Sequence, residues 1–212
     1  NEFESVDIDM MYMENNLSIK EIPSLHSKIL EIPYTDNKVA MYVLLPWEKN
    51  GLDFLEKAIA RYNFDDLFEN MSEERVKVSL PKFTMEEDIN LKKALNSMGI
   101  TDLFNDSLAD LSGICTEDEL YVSDAKHRAF VEVNEEGTEA SASTAVIIDG
   151  RAEHQLFDAN HPFMFFIQEK TTKAILFMGR FAGPGDPSAA SATVHYTLLV
   201  VFTTVLSMFY QI

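Results

Sequence analysis

The chain has 212 residues, 46% of them hydrophobic and 15 of them phenylalanine, which is enough apolar side chain for a sizeable core and too much for a disordered segment. A formal net charge of −18 excludes the electrostatics of a nucleic-acid or acidic-lipid binder. The single cysteine, Cys115, has no partner for an internal disulfide, so cysteine usage assigns no redox compartment.

Taken in order, Val6, Ile8 and Met10 alternate with Asp7 and Asp9 and predict a half-exposed strand. Leu25 to Tyr34, a Thr35-Asp36-Asn37-Lys38 turn and Val39 to Leu45 predict a hairpin with one nearly all-apolar strand. Leu52, Leu55, Ile59 and Tyr62 recur at helical spacing, and Phe64 to Met71 reads as a second short helix. Val76, Val78 and Leu80 alternate with charges up to Pro81, which breaks or bends the strand before Lys82-Phe83-Thr84-Met85-Glu86. Leu91, Leu95 and Met98 form one helix face that Gly99 ends. Three sequons, at Asn16-Leu17-Ser18, Asn70-Met71-Ser72 and Asn105-Asp106-Ser107, permit a secreted glycoprotein.

A search for catalytic chemistry returns little. None of His26, His127, His154, His161 and His195 has a second His or Cys at zinc-type spacing, so no metal or cofactor is expected. There is no Gly-x-Ser-x-Gly elbow, phosphate loop or calcium loop. Cys115 follows Ser112-Gly113 without a nearby base, which is the pattern of structural residues. The chain reads as a non-enzyme.

The informative stretch is Val131 to Pro162. It begins as a strand through Val133, breaks at Glu135-Glu136-Gly137, and continues as Thr138-Glu139-Ala140-Ser141-Ala142-Ser143-Thr144-Ala145 into Val146-Ile147-Ile148. The next residues, Asp149-Gly150-Arg151, form a polar tip. A segment able to pair in a sheet yet kept between two breaks is an edge-strand hazard that chains usually suppress, so its retention points to use.

Glu135 to Ala145 resembles the hinge of the serpins. Phe157-Asp158-Ala159-Asn160-His161-Pro162-Phe163-Met164-Phe165-Phe166-Ile167 and Leu176-Phe177-Met178-Gly179-Arg180 follow it like further blocks of that family, as Ala109-Asp110-Leu111-Ser112-Gly113-Ile114 precedes it. The resemblance covers about Val6 to Pro184, and it implies that Leu120 to Val133 is the long central-sheet strand leading into the hinge. It implies an α+β, partial serpin fold of mixed and antiparallel sheets with few helices and an exposed reactive-centre loop. Residues 1–184 are then the C-terminal portion of a serpin domain, with the reactive-centre loop at 135–160; the start of the chain, without Met, is expected to lack a preceding half.

The resemblance also implies a suicide-substrate inhibitor of serine proteases. The protease cuts the loop and becomes acylated; the hinge then inserts as a strand and distorts the enzyme. In the inserted strand Thr138, Ala140, Ala142 and Thr144 point to the buried side, and their small size suits insertion without overpacking. The family's register places the acyl-side residue seventeenth from the first hinge acid, which from Glu135 is Arg151, making Arg151–Ala152 the reactive bond. Arginine suits the acidic pocket of a trypsin-like protease. Ile148-Asp149-Gly150-Arg151 is similar to sequences cut by activated coagulation factor X, with trypsin and plasmin as other candidate partners. Lys82 and Glu135 are expected on neighbouring strands as an ion pair at the loop's base, and His127 on the long strand as a structural histidine.

The rivals are a non-inhibitory serpin and a truncated one that acts only as a substrate. Residues 185–212 depart from the family: small residues Ser188 to Ala192 lead to an uncharged 17-residue run, Tyr196 to Ile212, that fits a lipid-anchor signal or a short membrane span. An extracellular or cell-surface location follows as the expectation.

Overall fold

In the computed structural model, residues 7–115, 120–135 and 155–183 are described. They fall into two units, one made of residues 7–83, 133–135 and 155–183, the other of residues 84–115 and 120–132.

The first unit is built on a seven-stranded sheet, ordered β7-β4-β1-β2-β3-β8-β9. Its strands are β1 (Met10–Ile22), β2 (Ser27–Pro33), β3 (Val39–Pro46), β4 (Ser72–Pro81), β7 (Gln155–Asp158), β8 (Phe163–Glu169) and β9 (Ile175–Phe181). All neighbours are antiparallel except β4 and β7, which run parallel. The first strand differs from expectation: Asp7 to Asp9 lie outside it, and it continues for 13 residues from Met10. Strand pairing opens at Met10 opposite Pro81, where the chain of β4 ends; Lys82 N–H instead donates to the Asp9 carbonyl at 2.8 Å. Val6 is outside the described residues.

The predicted hairpin forms as β2 and β3, with Ile29 opposite Leu44 and Leu30 opposite Val43. Asn37 takes the left-handed conformation the turn needs (φ 54°), a conformation asparagine tolerates. Ala40 to Pro46 and Phe163 to Gln168 are buried throughout, so these two interior strands are covered on both faces and read as unbroken apolar runs rather than alternating ones.

One face packs on α1 (Leu52–Ile59) and α2 (Phe64–Phe68), which contribute buried Leu52, Leu55, Ile59 and Leu67. There Phe166 meets Phe64 and Phe68 edge-on, with ring centroids 5.9 and 5.7 Å away. On the other face Phe83, Phe163, Phe165 and Phe181 cluster. Helix α2 stops short of the predicted Met71 because Glu69 is extended and Asn70 has φ 56°. Lys20 Nζ donates to the carbonyls of Asp66 and Glu69 at 2.5 and 2.7 Å, satisfying acceptors that the helix end leaves open.

The second unit holds most of β5 (Phe83–Asn90) and β6 (Lys126–Val133), which pair as a two-stranded sheet, with α3 (Leu91–Ser97) and a 3₁₀ turn at Asp102–Phe104 between them. Asn90 caps α3 by accepting from Lys93 N–H, and Gly99 (φ 92°) ends it as predicted. Two expectations need correction. Met98 is exposed, and Ala94 is the buried residue of α3. The long strand from Leu120 is shorter and starts at Lys126, because the preceding backbone is tied elsewhere: Val122 N–H donates to Leu103 O and Leu91 N–H to Ala125 O.

Candidate functional site

The residues around the predicted reactive segment divide into a base, where β6 ends, and an anchor, where β7 begins. At the base, Glu135 directly follows β6 and Asn134, and Lys82 links β4 to β5. Lys82 Nζ lies 2.6 Å from Glu135 Oε1. The hydrogen bond to Glu135 raises the Lys82 pKa, and the same bond with Lys82 holds the Glu135 carboxyl below its ordinary value. The pair is solvent-exposed, so its attraction is screened by water and salt.

At the anchor, Gln155 to Asp158 pair in parallel with Val76 to Ser79. Phe157 is fully buried, and Ala159 N–H extends the ladder by donating to Ser79 O at 2.8 Å. Asn160 Nδ2 donates to Asp158 Oδ2 at 2.8 Å. His161 Nε2 lies 2.8 Å from the Pro46 carbonyl; since a carbonyl only accepts, this nitrogen carries the hydrogen. The Asp-Ala-Asn-His-Pro block thereby closes the turn from β7 into β8 and ties it to the end of β3.

Sequence reasoning missed Lys28. From β2, its Nζ donates to the Leu156 carbonyl at 2.7 Å and stands 5.2 Å from the centroid of the Phe157 ring. Burial lowers its pKa, opposed by the charges of Glu21 and Asp158. The only signal in the sequence was a charge within the apolar Ile29-Leu30 strand, where alternation made it look like an outward-facing residue.

The remaining predicted residues fare unevenly. His127 is exposed on β6. Its neighbour Arg128 instead bonds Asp88 through Nε and Nη2 at 2.8 and 2.9 Å and reaches Glu86 at 3.2 Å. Glu136, Gly137, Thr138, Glu139, Ala140, Ser141, Ala142, Ser143 and Thr144 of the hinge lie outside the described residues, as do Ile148, Asp149, Gly150, Arg151 and Ala152 and the tail from 185. Among the described residues no cluster of three or more His, Cys, Asp or Glu is placed to hold a metal ion, and no helix is long and apolar enough to cross a membrane.

The chain is a mixed-sheet α+β protein in which β6 ends at Val133 and β7 begins at Gln155. Comparison with known proteins makes this specific. The family model "Serpin (serine protease inhibitor)" matches residues 1–184, and the chain belongs to the serpin family. A leukocyte elastase inhibitor of Xenopus tropicalis is 42% identical over 189 residues, covering 87% of this chain and 50% of that relative. Human plasminogen activator inhibitor 2 is 41% identical over 192 residues, covering 87% and 46%. The solved structure of uncleaved ovalbumin superposes with a TM-score of 0.76 at 40% identity, covering 87% of this chain and 50% of that one. The chain thus spans about half the length of the relatives it matches. The family is one of protease inhibitors rather than enzymes, and the fold is a partial serpin fold with few helices.

Proposed function

We propose that this chain is the loop-bearing portion of an inhibitory serpin directed at trypsin-like serine proteases, with Arg151–Ala152 as the reactive bond. The observation that carries the reading is the register: Arg151 stands seventeenth from Glu135, the acid paired with Lys82 at the end of β6. The protease serine attacks the Arg151 carbonyl carbon; the bond to the Ala152 nitrogen breaks, and that nitrogen leaves protonated. An ester between protease and Arg151 remains. Insertion of the small-residue hinge Thr138, Ala140, Ala142 and Thr144 then carries the acylated enzyme away before water resolves it. Support comes from the names of two relatives, each called an inhibitor. The protease candidates are activated factor X, trypsin and plasmin.

We further assign the protein to the extracellular space or the cell surface, as a glycoprotein. Support is the three sequons and the uncharged run from Tyr196, which serves as a lipid-anchor signal or a span. Release from cells by a phosphatidylinositol-specific phospholipase identifies an anchor, and retention through alkaline extraction identifies a span. A chain lost from membranes under mild salt alone sinks both.

The test of inhibition mixes the protein with trypsin and with activated factor X, followed by denaturing gels and the mass of the released piece. A denaturant-stable adduct together with a fragment starting at Ala152 is the outcome for the parent protein. A second reading is a truncated serpin that acts only as a substrate: the chain spans about half the length of its relatives, and insertion of the hinge needs a strand on each side. The isolated chain is then cut at Ala152 without an adduct. Absence of cleavage at that bond overturns the register.

A further inference from the structure

The three sequons stand in different local structures. Asn16 and Ser18 lie within β1, opposite Arg75 and Glu73 of β4. Ser72 of the second sequon is the first residue of β4, opposite Ile19, so its backbone is committed to the sheet. Asn105, Asp106 and Ser107 instead lie in a turn after the 3₁₀ segment Asp102–Phe104, and all three are exposed. The turn is closed by the acceptor side chain itself: Asn105 Oδ1 accepts from Ser107 N–H at 2.9 Å. This Asx geometry engages the amide oxygen and leaves the amide nitrogen, the atom that carries a glycan, outside the turn's own bonding. Folding pairs Asn16 and Ser18 of the first sequon and Ser72 of the second in the sheet, although Asn16 and Asn70 keep exposed side chains, whereas all three residues of the third lie outside any strand.

Asn105 also borders a shallow, open surface depression of about 540 Å³ whose lining belongs wholly to the second unit. Lys92, Asn96, Thr101, Asp106, the nearly buried Phe104 and the half-exposed Tyr121 line it with Asn105. Lys92 Nζ donates to Ser123 O at 2.9 Å and lies 5.6 Å from the Phe104 centroid, which fixes the depression's basic wall. The exposed Tyr121 ring beside the polar residues Asn96, Thr101, Asp106 and Lys92 is the chemistry that receives a sugar ring, whose C–H face is apolar and whose rim is polar.

We infer that Asn105 is the N-glycosylation site of this chain and that the first N-acetylhexosamine of its glycan packs into this depression against Tyr121. The donor is a polyprenyl-diphosphate-linked oligosaccharide. A bond forms from Asn105 Nδ2 to the sugar C1, the C1–O bond to the diphosphate breaks, the diphosphate leaves with the electron pair, and Nδ2 gives up a proton. The modification occurs in the organism only if the extracellular assignment above holds, so the test supplies the compartment itself.

The full chain is routed into the secretory lumen of cultured animal cells behind a cleavable leader, with one unrelated sequon appended as a lumenal control. Peptides are mapped after enzymatic deglycosylation. The expected result is conversion of Asn105 to aspartate in most molecules, and loss of one glycan's gel shift in Asn105→Gln. A modified control sequon with unmodified Asn105 overturns the acceptor assignment, whatever the natural location of the protein. For the depression, Tyr121→Ala speeds native-state deglycosylation about fivefold, the scale of losing one ring contact, while Tyr12→Ala, on the exposed face of the other unit, leaves it unchanged. Equal rates in the wild type and Tyr121→Ala overturn the packing of the sugar.

Discussion

The two sheets of this chain show opposite economies of burial. In the seven-stranded sheet, β3 and β8 are buried along almost their whole length, with Phe166 facing the helices and Phe165 facing Phe83. In the two-stranded sheet, β6 alternates between exposed and half-buried residues, and Phe130 is 54% exposed. Among the described residues, the stretch from Thr84 to Glu132 also exposes Met98, Leu108, Ile114, Leu120 and Tyr121. A pair of strands is marginal unless further strands or helices cover a face, whereas a sheet with both faces covered is held by the hydrophobic effect acting on every side chain. Stability therefore resides in the first region.

The sharpest way to break this contrast is a pair of truncations measured by urea denaturation. Phe166→Ala, which empties a fully buried ring site, is expected to cost about 3–5 kcal/mol. Phe130→Ala should stay within about 0.5 kcal/mol, the range of ordinary surface changes. Equal losses would show that β6 is as well packed as β8. Gly179→Ala comes next. A Cβ there would stand 2.6 Å from the tip of the Phe165 ring, itself locked in the core, so the expected cost is about 1–3 kcal/mol. An unchanged unfolding midpoint would mean that the aromatic cluster has slack that its buried rings do not suggest.

Smaller effects test the two ends of the reactive segment. Lys28→Met removes a donor to β7 while keeping much of the stem, so about 1 kcal/mol of local protection should be lost at Phe157 and Asp158, read by amide hydrogen exchange. Exchange there that is no faster than in the wild type would leave the parallel pairing with β4 as the whole anchor. The smallest effect is the pH response of the base. The lowered Glu135 pKa means that the ion pair favours the native state above the ordinary carboxylate range and loses this contribution as pH falls through the lowered value. The raised Lys82 pKa means that its contribution is present below the ordinary lysine value and lost as pH rises through the raised one. NMR titration of the Glu135 carboxyl should therefore show a midpoint below that of an unpaired glutamate, returning upward in Lys82→Met. Glu135→Lys should promote opening and self-assembly on native gels; identical migration would detach the pair from any control of the segment.

Much of this organisation was readable from residue order. The apolar run of β3, the hairpin around Thr35 to Lys38, the helix from Leu52 to Ile59 and its glycine-terminated counterpart α3 all follow from local patterns, because period and turn chemistry are properties of neighbouring residues. The family was equally legible, since its blocks from Ala109 to Arg180 are contiguous words in the sequence. The misreadings share one cause. Six residues before β6 look like strand, yet backbone bonds to Leu103 and Leu91 fix their course, and Met98 keeps the helical spacing while Ala94 takes the buried place.

Sequence by itself determined the apolar periodicities, the turn residues, the family and the identity of the side chains offered around residue 151. Tertiary structure alone decided that Lys28 reaches from β2 to the carbonyl of Leu156, that Gly179 lies under the Phe165 ring, and that Asn105 borders a surface depression. Those relations join residues far apart in the chain. Their energies come from packing and hydrogen bonding in space, which no local propensity encodes.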